Sequence, residues 1–252
     1  MKFSVQLYSL RDAIKDADGL LAILPKLKEI GFDGVEFCGY YGLDAKTIKK
    51  ALDDAGLVAT SCHTGENCFK PDTIAETIAY HKELGMDLIG VGGGGHGNDK
   101  DAEQTAATFA WANKYSEENN CGVKFFYHTH NGEFKTLESG RVSIDVLKTG
   151  CYLEIDTFWS YVAGIDTYKF CMENKDRIVA LHIKDGTLRT HHDGRVDGDP
   201  CALGEGTNDL KMVVKLTKDM GLEWLVLEND NPRPTPLEDM ARSMKWLKEN
   251  AL

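Results

Sequence analysis

The amino-acid sequence predicts a single closed (β/α)8 barrel over residues 1–252. Two observations lead to this prediction. Short β-prone segments alternate with amphipathic helical segments eight times along the chain, and no linker-like stretch divides them. In addition, the first strand runs into Tyr8-Ser-Leu-Arg-Asp12, which lacks the glycine fingerprint of a doubly wound dinucleotide-binding fold.

The first four repeats follow from apolar periodicity and glycine stops. The helix predicted over 18–30 carries an apolar stripe that includes Leu20, Leu24 and Leu27, and Gly31 ends it. Gly56 and Gly85 end the next two helices in the same way. The predicted strands are 34–38, 57–64 and 88–91 after a first strand at 3–10, and the predicted helices are 18–30, 44–55, 73–84 and 101–119.

The last four repeats begin with the strongly β-prone run Phe125-Phe-Tyr127. The predicted strands are 124–130, 152–159, 178–185 and 224–230. The predicted helices are 142–149, 166–174, 208–220 and 237–250. Between the seventh strand and its helix, residues 186–207 are polar, and we expect a long loop there.

Composition and charge exclude several classes of function. With 42% hydrophobic and 27% charged residues, the chain is an ordinary globular protein. Its formal net charge of −11 would repel a phosphate backbone, so we expect no nucleic-acid partner. It contains no apolar run of signal-peptide or membrane-span length, and its seven cysteines are scattered without a CxxC pair. We therefore expect a cytoplasmic enzyme with reduced thiols and no membrane partner.

Residues that bind metals or move protons collect at the predicted carboxyl ends of the strands, whereas the opposite ends are mostly apolar. Active sites of (β/α)8 barrels lie at the carboxyl ends, where the loops that follow the strands meet. This asymmetry predicts an active-site face. Its candidate residues are Glu36, His63, His96, His128, His130, Glu154, Asp156, His182, Lys184 and Glu228.

Asp156, His182 and Glu228 are the strongest candidates for metal ligands. Each lies next to strongly apolar residues of its predicted strand. A buried carboxylate without a partner costs several kcal/mol, so a bound cation is the simplest explanation. His128 and His130 lie two residues apart and share one face of their strand, where we expect them to be paired, ligated or catalytic. Imidazole and carboxylate donors together suit Mn²⁺, Zn²⁺, Co²⁺ or Fe²⁺ better than Mg²⁺.

The remaining candidates suit a small polyhydroxy substrate. Tyr8 and Trp159 could stack against a sugar ring, although aromatic residues are more often packing residues. Glu36 and His63 lie on the same predicted face and could bind hydroxyl groups. The acidic charge is compatible with a neutral or metal-bound sugar, and the sequence leaves homo-oligomerisation open.

Several motifs, in order along the chain, resemble the sugar phosphate isomerase/epimerase family of the xylose-isomerase-like barrel superfamily. They cover essentially the whole chain and are Gln-Leu-Tyr-Ser-Leu-Arg-Asp (6–12), Gly-Tyr-Tyr-Gly (39–42), Tyr-His-Thr-His-Asn-Gly-Glu-Phe (127–134), Glu-Ile-Asp-Thr-Phe-Trp (154–159), Leu-His-Ile-Lys-Asp (181–185), Leu-Gly-Glu-Gly (203–206) and Leu-Glu-Asn-Asp (227–230). The superfamily contains isomerases, epimerases, dehydratases and endonucleases, so the resemblance does not by itself specify the reaction.

The resemblance implies one divalent metal held by residues of strands five to eight. Asp156, His182 and Glu228 match three ligands of the ketose epimerases, and His128 takes the place of their fifth-strand glutamate. Trp159 and Leu188 stand where the epimerases have a histidine and an arginine. The segment His182-Ile-Lys-Asp, together with the strand-five histidines, is closer to the inosose dehydratase branch and to relatives that act on 3-keto sugars and glycosides.

These observations predict an enzyme that abstracts a proton next to a carbonyl and stabilises the enediolate with its metal. Glu228 or Glu154 would be the base, and Lys184 or His130 the acid toward oxygen. Reprotonation gives isomerisation or epimerisation, which is the favoured outcome. Loss of a leaving group would make the protein a lyase, and a sugar-binding barrel without catalysis is the alternative of a different class.

Overall fold

The computed structural model describes residues 1–251 and shows a closed barrel of parallel strands surrounded by helices. Around the barrel the strands follow the order β1-β10-β7-β6-β5-β4-β3-β2, so neighbours in sequence are neighbours in space. The barrel strands are β1 (Lys2–Gln6), β2 (Gly34–Phe37), β3 (Val58–His63), β4 (Leu88–Val91), β5 (Lys124–His128), β6 (Tyr152–Asp156), β7 (Ile178–Ile183) and β10 (Trp224–Leu227). The predicted fold is confirmed.

The helices lie outside the strands, as the alternating pattern predicts. They are α1 (Ala17–Ile30), α2 (Ala45–Ala55), α3 (Ile74–Glu83), α4 (Asp99–Glu118), α5 (Ser143–Leu147), α6 (Thr157–Val162), α7 (Thr167–Glu173), α8 (Leu210–Asp219) and α9 (Pro236–Asn250). Within residues 1–251, no helix combines the length and the apolar composition that crossing a bilayer requires.

The strands bury both of their faces, but the two faces differ in chemistry. On β6, Leu153 and Ile155 belong to the apolar core between strands and helices. Glu154 and Asp156 alternate with them and are also fully buried. Because neighbouring side chains on a strand point to opposite faces, these two carboxylates lie inside the barrel. The same alternation puts His182 inside on β7, directly opposite Asp156 in the strand register.

Several predicted strands extend past the observed strand ends, and in two of them a side chain explains the end. The first strand ends at Gln6, because the Gln6 side chain accepts a hydrogen bond from the backbone N–H of Tyr8 and starts a 3-10 turn over Leu7–Leu10. The sixth strand ends at Asp156, whose Oδ1 accepts hydrogen bonds from the backbone of Phe158 and Trp159 and so caps α6. In both cases a side chain near the strand end competes with strand extension by bonding to the backbone.

The loop predicted over 186–207 is wrong in its first part. Residues Asp185–Thr190 (β8) and Val196–Cys201 (β9) form an antiparallel hairpin outside the barrel. Gly186 and Gly198 leave room for the buried Phe158 ring, since a Cβ on either glycine would lie within 3.0 Å of that ring. The hairpin is therefore packed against α6, although most of its other residues are polar and exposed.

Candidate metal centre at the carboxyl end of the barrel

A cavity of about 340 Å³ opens at the carboxyl end of the barrel strands. Its walls contain Tyr8, Cys38, His63, Gly92, His128, His130, Glu228 and Asp230. A larger groove of about 720 Å³ lies at the opposite end, beside the first residues of β5 and β6. We place the candidate site in the smaller cavity, because the buried titratable groups converge there and not in the larger groove.

The four residues predicted as metal ligands come together beneath this cavity. His128, Asp156, His182 and Glu228 each offer one donor atom, and these atoms all lie within 4.8 Å of one another. The His182 Nδ1 atom is 2.9 Å from Glu228 Oε2. The His128 Nε2 atom is 3.9 Å from Asp156 Oδ2 and 3.8 Å from Glu228 Oε2. Two imidazoles and two carboxylates in this arrangement form a compact donor set.

The barrel accounts for this convergence. His128 and Asp156 are the last residues of β5 and β6, and Glu228 directly follows β10. Parallel strands in a closed barrel end at the same rim, so residues distant in sequence meet there. All four side chains are buried, with Glu228 the most exposed at 5%.

A second group of donors overlaps the first and lies around Glu154. His63, His128, Glu154 and His182 also have donor atoms within 4.8 Å of one another. Three imidazole nitrogens approach the same atom, Glu154 Oε2, at 2.7 Å (His63 Nε2), 2.9 Å (His128 Nδ1) and 3.1 Å (His182 Nε2). The other oxygen, Glu154 Oε1, has no hydrogen-bond partner.

Lys184 places a buried ammonium group beside the candidate ligands. Its Nζ lies 2.7 Å from Asp156 Oδ2, 2.8 Å from Glu228 Oε2 and 2.8 Å from Asp230 Oδ2. The contact with Asp156 Oδ2 satisfies the distance of an ion pair but not the geometry of a hydrogen bond, so that buried oxygen has no hydrogen-bond donor. Asp156 Oδ2 is therefore ion-paired with Lys184 but accepts no hydrogen bond, and it lies near His128.

The electrostatics of the cluster follow from burial and proximity. Burial disfavours the charged form of Lys184, but Asp156, Glu228 and Asp230 outweigh it and hold the Lys184 pKa well above its ordinary value. Burial also disfavours the charged form of His182, but Glu154, Glu36 and Glu228 outweigh it and raise the His182 pKa well above 6.5. For His128, burial and the neighbouring His182 lower the pKa well below 6.5. The two candidate imidazole ligands thus differ sharply in proton affinity.

The other predicted site residues occupy different depths. Tyr8 is 44% exposed at the cavity mouth, and His130 is partly exposed in its wall. The Trp159 indole N–H donates to Asp230 Oδ2 at 3.2 Å, which places this side chain beside the Lys184 ion pairs. His63 lines the cavity, whereas Glu36 is fully buried below it.

Three residues of the cluster were missed at the level of sequence. Gln6 donates to Glu36 Oε1 at 2.6 Å, and Ser61 donates to Glu36 Oε2. Asp230 pairs with both Lys184 and Trp159. For Ser61 and Asp230 the available signal was a spacing of two residues from His63 and Glu228, which in an extended segment puts both side chains on one face.

The donor set fits a divalent transition metal. Glu36, Glu154, Asp156 and Glu228 are buried, and Lys184 is the one buried lysine or arginine within residues 1–251. The buried carboxylates thus outnumber the buried cations, even with His182 protonated. A divalent cation would offset this excess of negative charge and would also bind Asp156 Oδ2, which has no hydrogen-bond donor. Mixed imidazole and carboxylate ligands favour Zn²⁺, Mn²⁺, Co²⁺ or Fe²⁺.

A comparison with protein families agrees with this fold. The model of the xylose isomerase-like TIM barrel family matches residues 24–250. The chain belongs to this family. Membership explains the closed barrel, whereas the reaction must be argued from the site itself.

Similar proteins include both isomerases or epimerases and a dehydratase. The chain is 25% identical to an inosose dehydratase from Clostridium botulinum (strain Alaska E43 / Type E3), with 88% of this chain and 86% of the relative covered. A solved sugar phosphate isomerase/epimerase from Parabacteroides distasonis ATCC 8503 superposes with a TM-score of 0.78 at 21% identity, covering 99% of this chain and 98% of the other. The IOLI protein, solved with a zinc atom, superposes with a TM-score of 0.72 at 14% identity, covering 100% and 98%.

Proposed function

We propose that this protein is a metal-dependent sugar isomerase or epimerase that abstracts a proton next to a substrate carbonyl. The observation that carries this proposal is the convergence of His128, Asp156, His182 and Glu228 beside an open cavity, with the buried Lys184 ammonium in contact with two of them. Metal ligands, a candidate base and a candidate acid thus share one site. This combination is what enolisation of a carbonyl compound requires.

His128, Asp156, His182 and Glu228 would hold one divalent ion. When bound, that ion acts as a Lewis acid toward carbonyl and hydroxyl oxygens and lowers the free energy of an enediolate. The mixed donor set favours Zn²⁺, Mn²⁺, Co²⁺ or Fe²⁺ over Mg²⁺. The IOLI protein, which has the same fold, was solved with a zinc atom, and this supports a transition metal in the present protein.

Glu228 is the better candidate for the base. Glu228 lines the cavity, whereas Glu154 is fully buried beneath three imidazoles and does not reach the cavity wall. Lys184 donates to Glu228 Oε2 at 2.8 Å, so it can stabilise the carboxylate and deliver a proton toward a developing alkoxide. His130 lies in the cavity wall and is a second candidate for the acid.

The cavity suits a polyhydroxy carbonyl compound of sugar size. His63, Glu228 and Asp230 contribute polar groups to its walls, and Tyr8 contributes an aromatic ring at its mouth. Trp159 is held near this wall by its hydrogen bond to Asp230. Aromatic faces and fixed polar groups together are typical of carbohydrate sites.

A lyase is the second candidate, and the similarity to an inosose dehydratase over 88% of the chain favours it. Proton abstraction is common to both reactions. If the substrate carries a leaving group next to the new carbanion, the C–O bond breaks and the leaving group takes up a proton. If it does not, reprotonation completes isomerisation or epimerisation.

The test combines metal analysis with isotope exchange. We expect wild type to bind about one transition metal per chain and to incorporate deuterium from D₂O into a ketose, an inosose or a 3-keto glycoside. His182→Ala should lose both properties. His192→Ala, which removes an exposed imidazole from the hairpin turn, is the matched control and should keep both.

The products then separate isomerase from lyase. If wild type loaded with Mn²⁺ or Zn²⁺ binds sugar but exchanges no deuterium with any of these compounds, the enzymatic proposal is wrong and the protein is a sugar-binding barrel.

A further inference from the structure

Beneath the candidate metal ligands lies a buried layer of hydrogen bonds whose direction can be worked out. It contains Gln6, Glu36, His63 and Glu154. All are buried except His63, whose side chain is 10% exposed. A buried network of this kind is stable only if donors and acceptors alternate correctly.

The direction is set by one backbone group. The N–H of Tyr8 can only donate, and it donates to Gln6 Oε1 at 3.0 Å. The Gln6 amide nitrogen therefore faces the other way, where it lies 2.6 Å from Glu36 Oε1 and 3.2 Å from His63 Nδ1. Because an amide nitrogen is a donor, His63 Nδ1 must be the acceptor, and the His63 proton is on Nε2.

This proton leads to Glu154. His63 Nε2 donates to Glu154 Oε2 at 2.7 Å. The same oxygen accepts from His128 Nδ1 at 2.9 Å and lies 3.1 Å from His182 Nε2, which also donates to Glu36 Oε1 at 2.7 Å. The opposite nitrogens, His128 Nε2 and His182 Nδ1, are the ones that face Asp156 and Glu228.

We infer that Glu154 is a positioning residue that fixes the tautomers of His128 and His182, so that they present Nε2 and Nδ1 to a metal. This inference depends on the metal site of the proposed function and does not depend on the proposed reaction. It also decides between the two overlapping donor groups. The group with Asp156 and Glu228 holds the ion, and the group around Glu154 supplies the hydrogen bonds behind the ligands. Carboxylates that accept from the far nitrogen of a ligating histidine commonly orient such ligands.

The first experiment measures metal affinity by competition with a chelator, using Zn²⁺ and Co²⁺. Glu154→Gln should weaken binding by about 10–100-fold while the stoichiometry stays at one, because all four ligands remain. Glu154→Asp, which keeps the charge but shortens the side chain, should weaken binding in the same direction. Glu133→Gln is the matched control, since Glu133 is fully buried at the same end of the barrel and bonds to Tyr127 and to the His130 backbone instead. It should bind metal as wild type does.

The second experiment needs no metal and no activity. Long-range ¹H–¹⁵N NMR of histidine-labelled, metal-free protein should show His128 protonated on Nδ1 and His63 on Nε2. In Glu154→Gln the His128 tautomer should change or become mixed, even if the variant is less stable.

Any of three results overturns the inference. The first is metal affinity within threefold of wild type in both Glu154 variants. The second is a wild-type His128 that carries its proton on Nε2. Complete loss of the ion from Glu154→Gln, with no change in the tautomers, would mean that Glu154 is itself a ligand and would also overturn it. A wild-type protein that binds no metal would instead contradict the proposed function, and the NMR result would remain decisive for Glu154.

Discussion

Lys184→Met tests whether the ammonium group of Lys184 balances the buried carboxylates. The side chain is fully buried, and its Nζ lies within 2.8 Å of oxygens of Asp156, Glu228 and Asp230. Methionine has a similar length but no charge, so the variant leaves two buried carboxylates without their cation. Removing one partner of a buried ion pair costs about 3–5 kcal/mol. For a chain of this size that loss corresponds to a fall in Tm of about 6–20 °C.

The assay is urea unfolding of metal-free protein, followed by the same measurement with Zn²⁺ or Mn²⁺. A divalent ion beside Asp156 and Glu228 supplies the missing positive charge, so added metal should narrow the gap between variant and wild type. Lys215→Met is the control, because Lys215 pairs with Asp219 on the surface and its side chain is 64% exposed. It should unfold close to wild type. A Lys184→Met protein whose unfolding free energy lies within about 1 kcal/mol of wild type would refute the reasoning.

Two further predictions concern protons and packing. The His182 pKa is held well above 6.5 because Glu154, Glu36 and Glu228 outweigh burial, so this imidazole must lose a proton before it can ligate a metal. Metal affinity should therefore keep rising by about tenfold per pH unit above pH 6.5, and titrations at pH 6, 7 and 8 that level off near 6.5 would contradict this assignment. Gly150→Ala should cost about 1–3 kcal/mol in thermal or urea unfolding, because its Cβ would lie 1.8 Å from the Ala106 carbonyl oxygen. Gly97→Ala, with nothing within 4 Å of the new Cβ, should leave stability unchanged, and equal effects of the two substitutions would contradict the packing argument.

The barrel and the positions of its candidate metal ligands could be predicted because both depend on local pattern. Apolar residues flank Asp156 and His182 on strands whose period is two, so the sequence alone places both side chains on the inner face. The hairpin of β8 and β9 could not be predicted in this way. It depends on two glycines that make room for Phe158, a residue far from them in sequence, and its strands are mostly polar.

The roles of individual site residues were harder to predict, for a related reason. Glu154 and Asp156 are two residues apart on one strand and look equivalent in the sequence. Along a strand, two residues span about 6.6 Å, which is enough to put one carboxylate among the candidate metal ligands and the other one layer below them. Gln6 has no chemistry that marks it as functional, and only the fixed direction of the Tyr8 N–H bond reveals its part in the network.

The nitrogen-bearing side chains and the carboxylates of the site come from different strands of the barrel. Gln6, His63, His128 and His182 come from the first, third, fifth and seventh barrel strands, and all of them are nitrogen donors or ligands. The buried carboxylates Glu36, Glu154, Asp156 and Glu228 come from the second, sixth and eighth strands or directly follow them. Alternate strands of a (β/α)8 barrel contribute side chains to alternating layers, and His182 on the seventh strand has carboxylates on both neighbouring strands. The fourth strand breaks the pattern with Gly90, where a Cβ would lie 2.3 Å from the Phe126 ring. The buried Phe126 ring thus occupies the interior space beside this strand.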